Sequence, residues 1–354
     1  MFKPQCLPIL IGSLPLSDHH EAMELILTYS PAIPLWPQLP LRNGEGMIRQ
    51  FLSGFPGLQE EKNRYWIDTS RSDFEEQMAS FYEDYMEVEQ NGIFPEGSRF
   101  SLGSDTAPGF AAFLEKIATV ETEYITLKGQ VTGPVTTGIG VKDQHGKSII
   151  YDDNLRDVLV KHLTFKAIWQ INTLRNILGC DQPILFIDEP GIVSFGSSAF
   201  SGISREMVSD AVTQTVTGIQ NSGGLAGIHI CANGDWGPAL TSPADIISFD
   251  AYFYFDNFIL YRDQLIEFLQ RGGILAWGII PTADPALLEE IHIDTLLKKW
   301  LGQVETLAHF GFSRNTLLEQ ILIAPSCGTG SLPPNLAMKV LQLTAELSEK
   351  VRNL

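Results

Sequence analysis

The stretch Ala226-Gly227-Ile228-His229-Ile230-Cys231 decides how this sequence is interpreted. It is apolar and β-branched, and turn residues at 222–224 and 233–235 flank it, so it predicts a short buried strand. Side chains two residues apart on a strand point to the same side, so His229 and Cys231 would present an imidazole and a thiolate to one space. A histidine and a cysteine placed in this way are half of a zinc site.

Two further apolar runs end in residues that bind metals. Residues 244–250 close with Asp250, and the run that begins at residue 321 leads to Cys327. If these runs and the His229 strand are parallel strands of one barrel, their C-terminal ends share one face, where the four side chains can converge. One nitrogen, one oxygen and two sulfur ligands suit a tetrahedral zinc ion. The sequence therefore predicts a metal site made of His229, Cys231, Asp250 and Cys327.

The order of the apolar runs predicts an α/β fold, a (β/α)8 TIM barrel. The predicted strands cover residues 5–12, 32–36, 124–130, 183–190, 226–231, 244–250, 273–281 and 320–325. A helix predicted at residues 19–29 places His19 in its first turn, at the surface. Residues 38–122, roughly, exceed what a strand–helix connection needs, so we interpret them as an insertion after the second strand that shapes or covers the active-site face. No composition break marks a second domain, so residues 1–354 are expected to form a single barrel domain.

Composition and charge exclude several classes of protein. The 354 residues include 24 Lys and Arg against 42 Asp and Glu, a formal net charge of −18. Such a field repels phosphate backbones and anionic lipids, so no nucleic-acid or membrane role is expected. Neither a signal peptide nor an apolar run of membrane-spanning length is visible, so the expected location is cytoplasmic. Four cysteines are too few for a disulfide scaffold in a chain of this size.

A pair of carboxylates marks the end of the fourth predicted strand. Asp188 and Glu189 follow an apolar run and are stopped by Pro190. Carboxylates at the C-terminal end of a barrel strand are typical of active sites. The pair could anchor a substrate ammonium group or orient a metal ligand. A salt bridge or a helix cap at the rim of the barrel is the structural alternative.

Several motifs, taken together, resemble those of a known family. They are Ile11-Gly12-Ser13, Gly133-Pro134-Val135-Thr136, Ile187-Asp188-Glu189-Pro190, His229-Ile230-Cys231, Asp250 and Pro325-Ser326-Cys327-Gly328. This set is similar to the C-terminal catalytic barrel of cobalamin-independent methionine synthase. It also resembles the superfamily shared with uroporphyrinogen decarboxylase and the corrinoid-dependent methyltransferases. The motifs follow the family order from residue 11 to residue 328.

The resemblance implies an enzyme in which zinc activates a thiol for methylation. His229, Cys231 and Cys327 match the family's zinc ligands, and Asp250 stands where methionine synthase has a glutamate ligand. A thiolate is the reactive form of a thiol, and a zinc ion stabilises it at neutral pH. The implied activity is a methionine synthase-like methyltransferase with zinc as its cofactor.

The resemblance also implies a substrate site. Ser13 and Asp188 match positions that bind the amino acid part of homocysteine, and Glu45 is a loose match to a homocysteine-binding glutamate. With Glu189, these residues are the predicted substrate-binding set. The implied substrate is homocysteine or a similar small thiol, with coenzyme M as the open alternative. No catalytic residue is assigned.

Three family features are missing, and they bear on the methyl donor. Residues 277–282 replace the family's Asp-Ile-His-Ser-Pro motif and contain no histidine, and residues 330–332 replace a Lys-Thr-Arg after the last zinc cysteine. The large N-terminal half of the full-length synthase has no counterpart. These departures favour a core-type enzyme whose donor is a methylcorrinoid, free or carried by a corrinoid protein, rather than a methylfolate.

Two other functions stay open at the level of sequence. A decarboxylase of the uroporphyrinogen type needs several basic residues to receive carboxylates, and this sequence has few arginines near its predicted strand ends. A non-catalytic corrinoid-binding or metal-binding homologue would explain the missing histidine. Methyl transfer from methylcobalamin to a thiol separates the second alternative from the enzyme.

Overall fold

The computed structural model describes residues 2–42, 44–62, 64–120, 123–194 and 202–354. The strands are β1 (Leu58–Glu61), β2 (Arg64–Ile67), β3 (Lys128–Thr132), β4 (Ile184–Asp188), β5 (Leu225–Ile230), β6 (Ile246–Phe249), β7 (Ile274–Ile280) and β8 (Ile321–Pro325). The helices are α1 (His19–Tyr29), α2 (Phe74–Asn91), α3 (Pro108–Thr119), α4 (Pro134–Gly140), α5 (Asp153–Leu178), α6 (Arg205–Asn221), α7 (Gly237–Thr241), α8 (Ala251–Phe258), α9 (Arg262–Gln270), α10 (Pro285–Glu290), α11 (Ile293–Ala308), α12 (Arg314–Glu319) and α13 (Pro334–Arg352). Within these ranges, every helix is too short or too polar to span a bilayer.

A six-stranded parallel sheet, in the order β3-β4-β5-β6-β7-β8, is the centre of the fold. Its strands correspond to the last six predicted runs, and every one of their residues is buried. Helices connect successive strands, which is the arrangement expected of parallel βα units. The mixed α/β class predicted from the sequence is therefore confirmed.

The first two predicted strands differ from the prediction. Residues 7–14 and 32–38, which we call the seam, are extended segments joined to their neighbours by isolated parallel bridges. One bridge joins Pro8 to Ile323 of β8, one joins Leu35 to Lys128 of β3, and one joins the two segments to each other. Proline has no N–H to donate, so prolines at 8, 34 and 37 prevent a continuous ladder. Among the described residues the regular sheet is consequently open at the seam.

Alternate residues of the strands form a core inside the curve of the sheet. Both seam segments contribute to this core, which contains Leu7, Ile9, Ile11, Ile33, Ile184, Phe186, Leu225, Ile246, Ile274, Ala276, Leu322 and Ala324. The intervening strand residues face the helices and belong to a second, larger core. The period-2 alternation of strands produces both faces.

Buried polar side chains add to the backbone hydrogen bonds that hold the seam. Lys128 Nζ donates to Ile11 O at 2.7 Å, and Gln130 Nε2 donates to Trp36 O at 3.0 Å. Lys128 is completely buried, and burial lowers its pKa to about 8. These contacts fix the seam against β3 and so position the residues that follow Ile11.

The segment predicted to be an insertion carries the hairpin β1–β2 and the helices α2 and α3, and buried groups anchor it to α5. His162 Nε2 donates to Phe51 O at 3.0 Å, and Lys166 Nζ donates to Arg99 O at 3.1 Å and Ser101 O at 2.9 Å. Unpaired buried carbonyls are costly, so each of these bonds opposes detachment of the insertion.

Acid should weaken this anchor. Burial and the nearby Lys166 hold the pKa of His162 well below its ordinary value. Below about pH 6.5 the unfolded chain binds a proton there that the folded chain does not, so the free energy of unfolding should fall as pH falls, by up to about 1.4 kcal/mol per pH unit. His162→Gln should remove this contribution in urea unfolding curves at pH 7, 6 and 5. His309→Gln, at an exposed histidine, is the control; identical slopes for wild type and His162→Gln would contradict the prediction.

Candidate metal centre

Three of the four predicted ligands come together at the C-terminal end of the sheet. His229 lies in β5, Cys231 follows that strand directly, and Cys327 follows β8. Their ligand atoms lie within 4.8 Å of one another. No second group of this kind occurs among the described residues. The structure thus brings two predicted strand ends, distant in sequence, into one potential metal site.

The path of β5 explains how His229 reaches this position. Ile228 and Ile230 belong to the core shared with the helices, so His229, between them, faces the inside of the sheet. At Gly227 a Cβ atom would lie 2.3 Å from the ring of Phe186. Only glycine lets β5 pass this ring, which fills the interior beneath the site.

One ring nitrogen of His229 is free to bind a metal. Nδ1 lies 2.9 Å from Ser248 Oγ, whereas Nε2 is buried and has no hydrogen-bond partner. A buried polar atom without a partner is rare and calls for a ligand or another explanation. One nitrogen and two sulfur atoms with one open position match the donor set of a catalytic zinc ion, so these residues fit zinc.

The thiols of Cys231 and Cys327 strongly shift each other's pKa. The thiol of Cys327, with further help from His229, lowers the pKa of Cys231 to about 4. Its interaction with Cys231 and its burial raise the pKa of Cys327 well above the ordinary value. Burial disfavours the imidazolium of His229, but the adjoining Cys231 outweighs this effect and raises the pKa of His229. The pair therefore favours ionisation of Cys231 over Cys327, and metal binding would require that both ligating thiols lose their protons.

Asp250 lies outside the group of ligand atoms within 4.8 Å of one another. Its side chain is the N-cap of α8, where the carboxylate accepts a hydrogen bond from Phe253 N at 3.0 Å. Burial raises its pKa to about 6. The structure places Asp250 at the end of β6 as expected, and its role as the fourth ligand stays a prediction.

A cavity of about 300 Å³ contains the three grouped candidate ligands and most of the predicted substrate residues. Its walls are formed by Ile11, Ser13, Gln38, Pro40, Glu45, Met47, Asp188, Pro190, His229, Cys231, Cys327, Gly328, Gly330 and Ser331. A larger cavity of about 660 Å³ lies outside the sheet between α2, α5 and α6, and none of the predicted site residues lines it. The smaller cavity is the functional candidate because the chemically active side chains converge there.

Asp188 is the acceptor in this cavity with unused hydrogen-bonding capacity. It ends β4 opposite His229, and its Oδ1 atom is buried without a partner. Burial raises its pKa to about 6, although His229 and Lys128 oppose the shift. A buried carboxylate oxygen of this kind is suited to a cationic group of a ligand.

Ser13 lies against the loop that carries Cys327. Its Oγ accepts a hydrogen bond from Gly330 N at 3.2 Å, and its carbonyl oxygen accepts one from Thr329 N at 2.9 Å. A Cβ atom on Gly328 would lie 2.1 Å from Ser13 Oγ, so glycine is required for this approach. Ser13 therefore has a fixed place in the cavity wall beside Cys327.

Glu45 lines the cavity, but its carboxylate is already paired. His19 Nε2 lies 2.9 Å from one oxygen and Arg42 Nε lies 3.0 Å from the other, while Leu39 N donates at 3.2 Å. The surface location expected for His19 is wrong, because the loop that carries Glu45 folds over the first turn of α1 and buries it. The carboxylate of Glu45 anchors that loop.

Glu189 does not line the cavity. Its carboxylate accepts hydrogen bonds from Val135 N at 2.9 Å, Thr136 N at 2.8 Å and Thr136 Oγ1 at 2.6 Å. These donors belong to the first turn of α4, so Glu189 caps this helix from outside. Burial raises its pKa to about 7. The structural alternative, a helix cap, therefore applies to Glu189.

Ser248 and Lys128 are site-related residues that sequence reasoning missed. Ser248 contacts His229 from the neighbouring strand, and Lys128 is buried beneath the cavity. Ser248 lies two residues before Asp250, and Lys128 lies two residues before Gln130, the last residue of the third predicted strand. The alternation of side chains along β6 and β3 therefore directs both of them inward. Their contacts depend on the register between neighbouring strands, which the sequence pattern does not give.

Comparison with known proteins bears on the fold. A B12-independent methionine synthase from Shewanella sp. W3-18-1, solved in complex with selenomethionine, is 14% identical, covers 98% of this chain and 98% of that chain, and has a TM-score of 0.51. A β-mannanase from Alicyclobacillus acidocaldarius is 11% identical over 69% of this chain and 78% of that chain, but its TM-score of 0.34 carries no argument. No protein-family profile matches the sequence, and neither does any curated protein. This chain therefore has a fold like that of the methionine synthase over nearly the whole length of both proteins.

Proposed function

We propose that this protein is a zinc-dependent methyltransferase that transfers a methyl group to a small thiol. The observation that carries the proposal is the convergence of His229, Cys231 and Cys327 in one cavity with Asp188. The fold shared with a B12-independent methionine synthase supports it.

The three grouped residues would hold the metal, and Asp250 would complete its shell or give way to the substrate. When bound, zinc lowers the pKa of a thiol ligand, so that the reactive thiolate persists at neutral pH. The chain keeps the Nε2 atom of His229 unpaired and buries it, which prepares this nitrogen for the metal. It also holds the loop that carries Cys327 against Ser13 through hydrogen bonds from Thr329 N and Gly330 N.

The charges of the cavity favour a thiol that carries an ammonium group. Asp188 and Glu45 line the cavity, and neither lysine nor arginine is among its described wall residues. The unpaired Oδ1 of Asp188 can accept a hydrogen bond from an ammonium group. Coenzyme M has a sulfonate but no ammonium group, so it has nothing to pair with Asp188. Homocysteine is accordingly the preferred substrate over coenzyme M.

The proposed methyl donor is a methylcorrinoid, free or carried by a corrinoid protein. In the transfer, a carbon–sulfur bond forms and the cobalt–carbon bond breaks, leaving its electron pair on cobalt. That leaving group needs no proton, whereas the nitrogen of a methylfolate needs a general acid. The end of β7 offers no such acid, since residues 277–282 have no titratable side chain. Thr282 Oγ1 there is bonded to Ser326 Oγ at 3.0 Å.

The closed (β/α)8 barrel is also a proposal. The isolated bridges at the seam and the interior core shared by both seam segments support it. In such a barrel, Ser13 belongs to the same rim as the ends of β4, β5 and β8, with which it already lines one cavity. The seam would then be the part of the barrel where isolated bridges and side-chain hydrogen bonds take the place of a continuous ladder.

The test is metal content followed by methyl transfer with purified protein. We expect about one zinc ion per chain and formation of methionine from homocysteine with methylcobalamin as donor, measured by mass spectrometry. The same assay with 5-methyltetrahydrofolate, and with coenzyme M as acceptor, should give much less product. Absence of zinc after supplementation would refute the proposal, and bound zinc without transfer from either donor would favour the non-catalytic metal-binding alternative.

A further inference from the structure

Ser248 is the hydrogen-bond partner of the histidine in the metal centre. It lies in β6, directly opposite His229 in the parallel register of β5 and β6. Its Oγ atom is 2.9 Å from Nδ1 of His229, and the two residues are 0% and 2% exposed. Water therefore cannot readily replace the serine as the partner of this nitrogen.

The contact bears on which nitrogen of the ring carries the proton. A neutral imidazole has one N–H and one lone pair. If Nδ1–H donates to Ser248 Oγ, the lone pair of Nε2 is left for a metal. In the other tautomer, Nε2 carries the proton, Nδ1 accepts from Ser248 Oγ, and no lone pair is left on Nε2 for a metal. The hydrogen bond to Ser248 at Nδ1 thus leaves Nε2 as the nitrogen that can bind a metal.

We propose that Ser248 is a positioning residue of the metal centre, which holds the ring of His229 in the tautomer and orientation required for metal binding. The proposal rests on the proposed zinc site. Asp188 is opposite His229 on its other side, but its Oδ1 atom has no hydrogen-bond partner. Of the described residues, Ser248 is therefore the one that orients the ring by a side-chain hydrogen bond.

The test compares zinc affinity in two variants that each remove one buried hydroxyl. Ser248→Ala removes the partner of His229, and Ser348→Ala removes a hydroxyl that donates to Cys6 O at 2.7 Å, away from the cavity. Competition with a chromophoric chelator should show about 10- to 100-fold weaker zinc binding in Ser248→Ala. Ser348→Ala should bind zinc like the wild type. If Ser248→Ala fails to fold by circular dichroism, Ser248→Cys, which offers a much weaker acceptor, takes its place with the same expectation.

A second readout follows the ring itself. In metal-free protein labelled with ¹⁵N-histidine, the nitrogen shifts of His229, assigned by their loss in His229→Gln, should show the Nδ1–H tautomer. In Ser248→Ala they should show a mixture of tautomers. A merely structural role for the serine would leave these shifts unchanged.

The two outcomes that overturn the proposal differ from a failure of the proposed function. Wild-type and Ser248→Ala proteins with equal zinc affinity and identical His229 shifts would overturn the role of Ser248 and leave the zinc enzyme intact. A wild-type protein without zinc would overturn the proposed function and, with it, the positioning role that depends on it.

Discussion

Replacing either Cys231 or Cys327 by serine should reduce bound zinc from about one ion per chain to less than about a tenth of that. A serine hydroxyl does not ionise at neutral pH, so it cannot take the place of a thiolate ligand. Each variant leaves two of the three grouped ligands, which lie within 4.8 Å of one another in the native site. Metal analysis after gel filtration measures the effect.

Cys180→Ser is the matched control for this experiment. Cys180 is a buried thiol whose pKa is raised by burial, and it contacts Thr126 away from the cavity. This variant should retain its zinc. Methyl transfer should fall by at least about 100-fold in the two ligand variants, since a metal contributes several kcal/mol to such reactions. Stoichiometric zinc in either ligand variant would contradict the assignment of that cysteine.

Asp188→Asn should selectively impair the use of an aminothiol. An amide is uncharged, so it cannot form an ion pair with an ammonium group. Loss of one charge from a buried ion pair costs about 2–4 kcal/mol, so kcat/KM for homocysteine should fall by about 30- to 1,000-fold. For 3-mercaptopropionate, which has no ammonium group, the value should change by less than about 3-fold. Steady-state kinetics with both thiols measures the difference.

Glu189→Gln separates the two neighbouring carboxylates in the same assay. Glu189 is buried like Asp188 but bonds to the first turn of α4 instead of lining the cavity. Its variant should lose stability without changing the ratio of kcat/KM for the two thiols. An equal decrease in kcat/KM for both thiols in Asp188→Asn would show that Asp188 does not bind the ammonium group.

The grouping of His229, Cys231 and Cys327 could be predicted because their positions follow from strand geometry. His229 and Cys231 share a side by alternation, and Cys327 joins them because parallel strands end on one face. The roles of Asp250 and Glu189 could not be predicted in this way. Each follows a strand, yet each carboxylate turns to backbone N–H groups of a helix. The path of the loop decides between a cap and a ligand, and that path depends on tertiary packing.

Long-range pairing explains the remaining differences. The contact between His19 and Glu45 joins a helix to the insertion, and no local pattern reveals it. The helical boundaries of α1 agree with the prediction because Asp18 caps its first turn locally. The irregular seam had a visible signal in its prolines, which the count of apolar runs overlooked.

The loop after β8 connects metal binding to the order of the substrate wall. It carries Cys327, and through Thr329 and Gly330 it holds Ser13 at the seam. A metal shared by Cys327 and the residues of β5 would tie this loop to the continuous ladder on the other side of the cavity. Metal binding and substrate binding should then strengthen each other. The ligand that binds first immobilises the wall, so the second ligand loses less conformational entropy when it binds. A bound thiol substrate would slow the escape of the ion, and the ion would in turn preorganise the wall that receives the thiol.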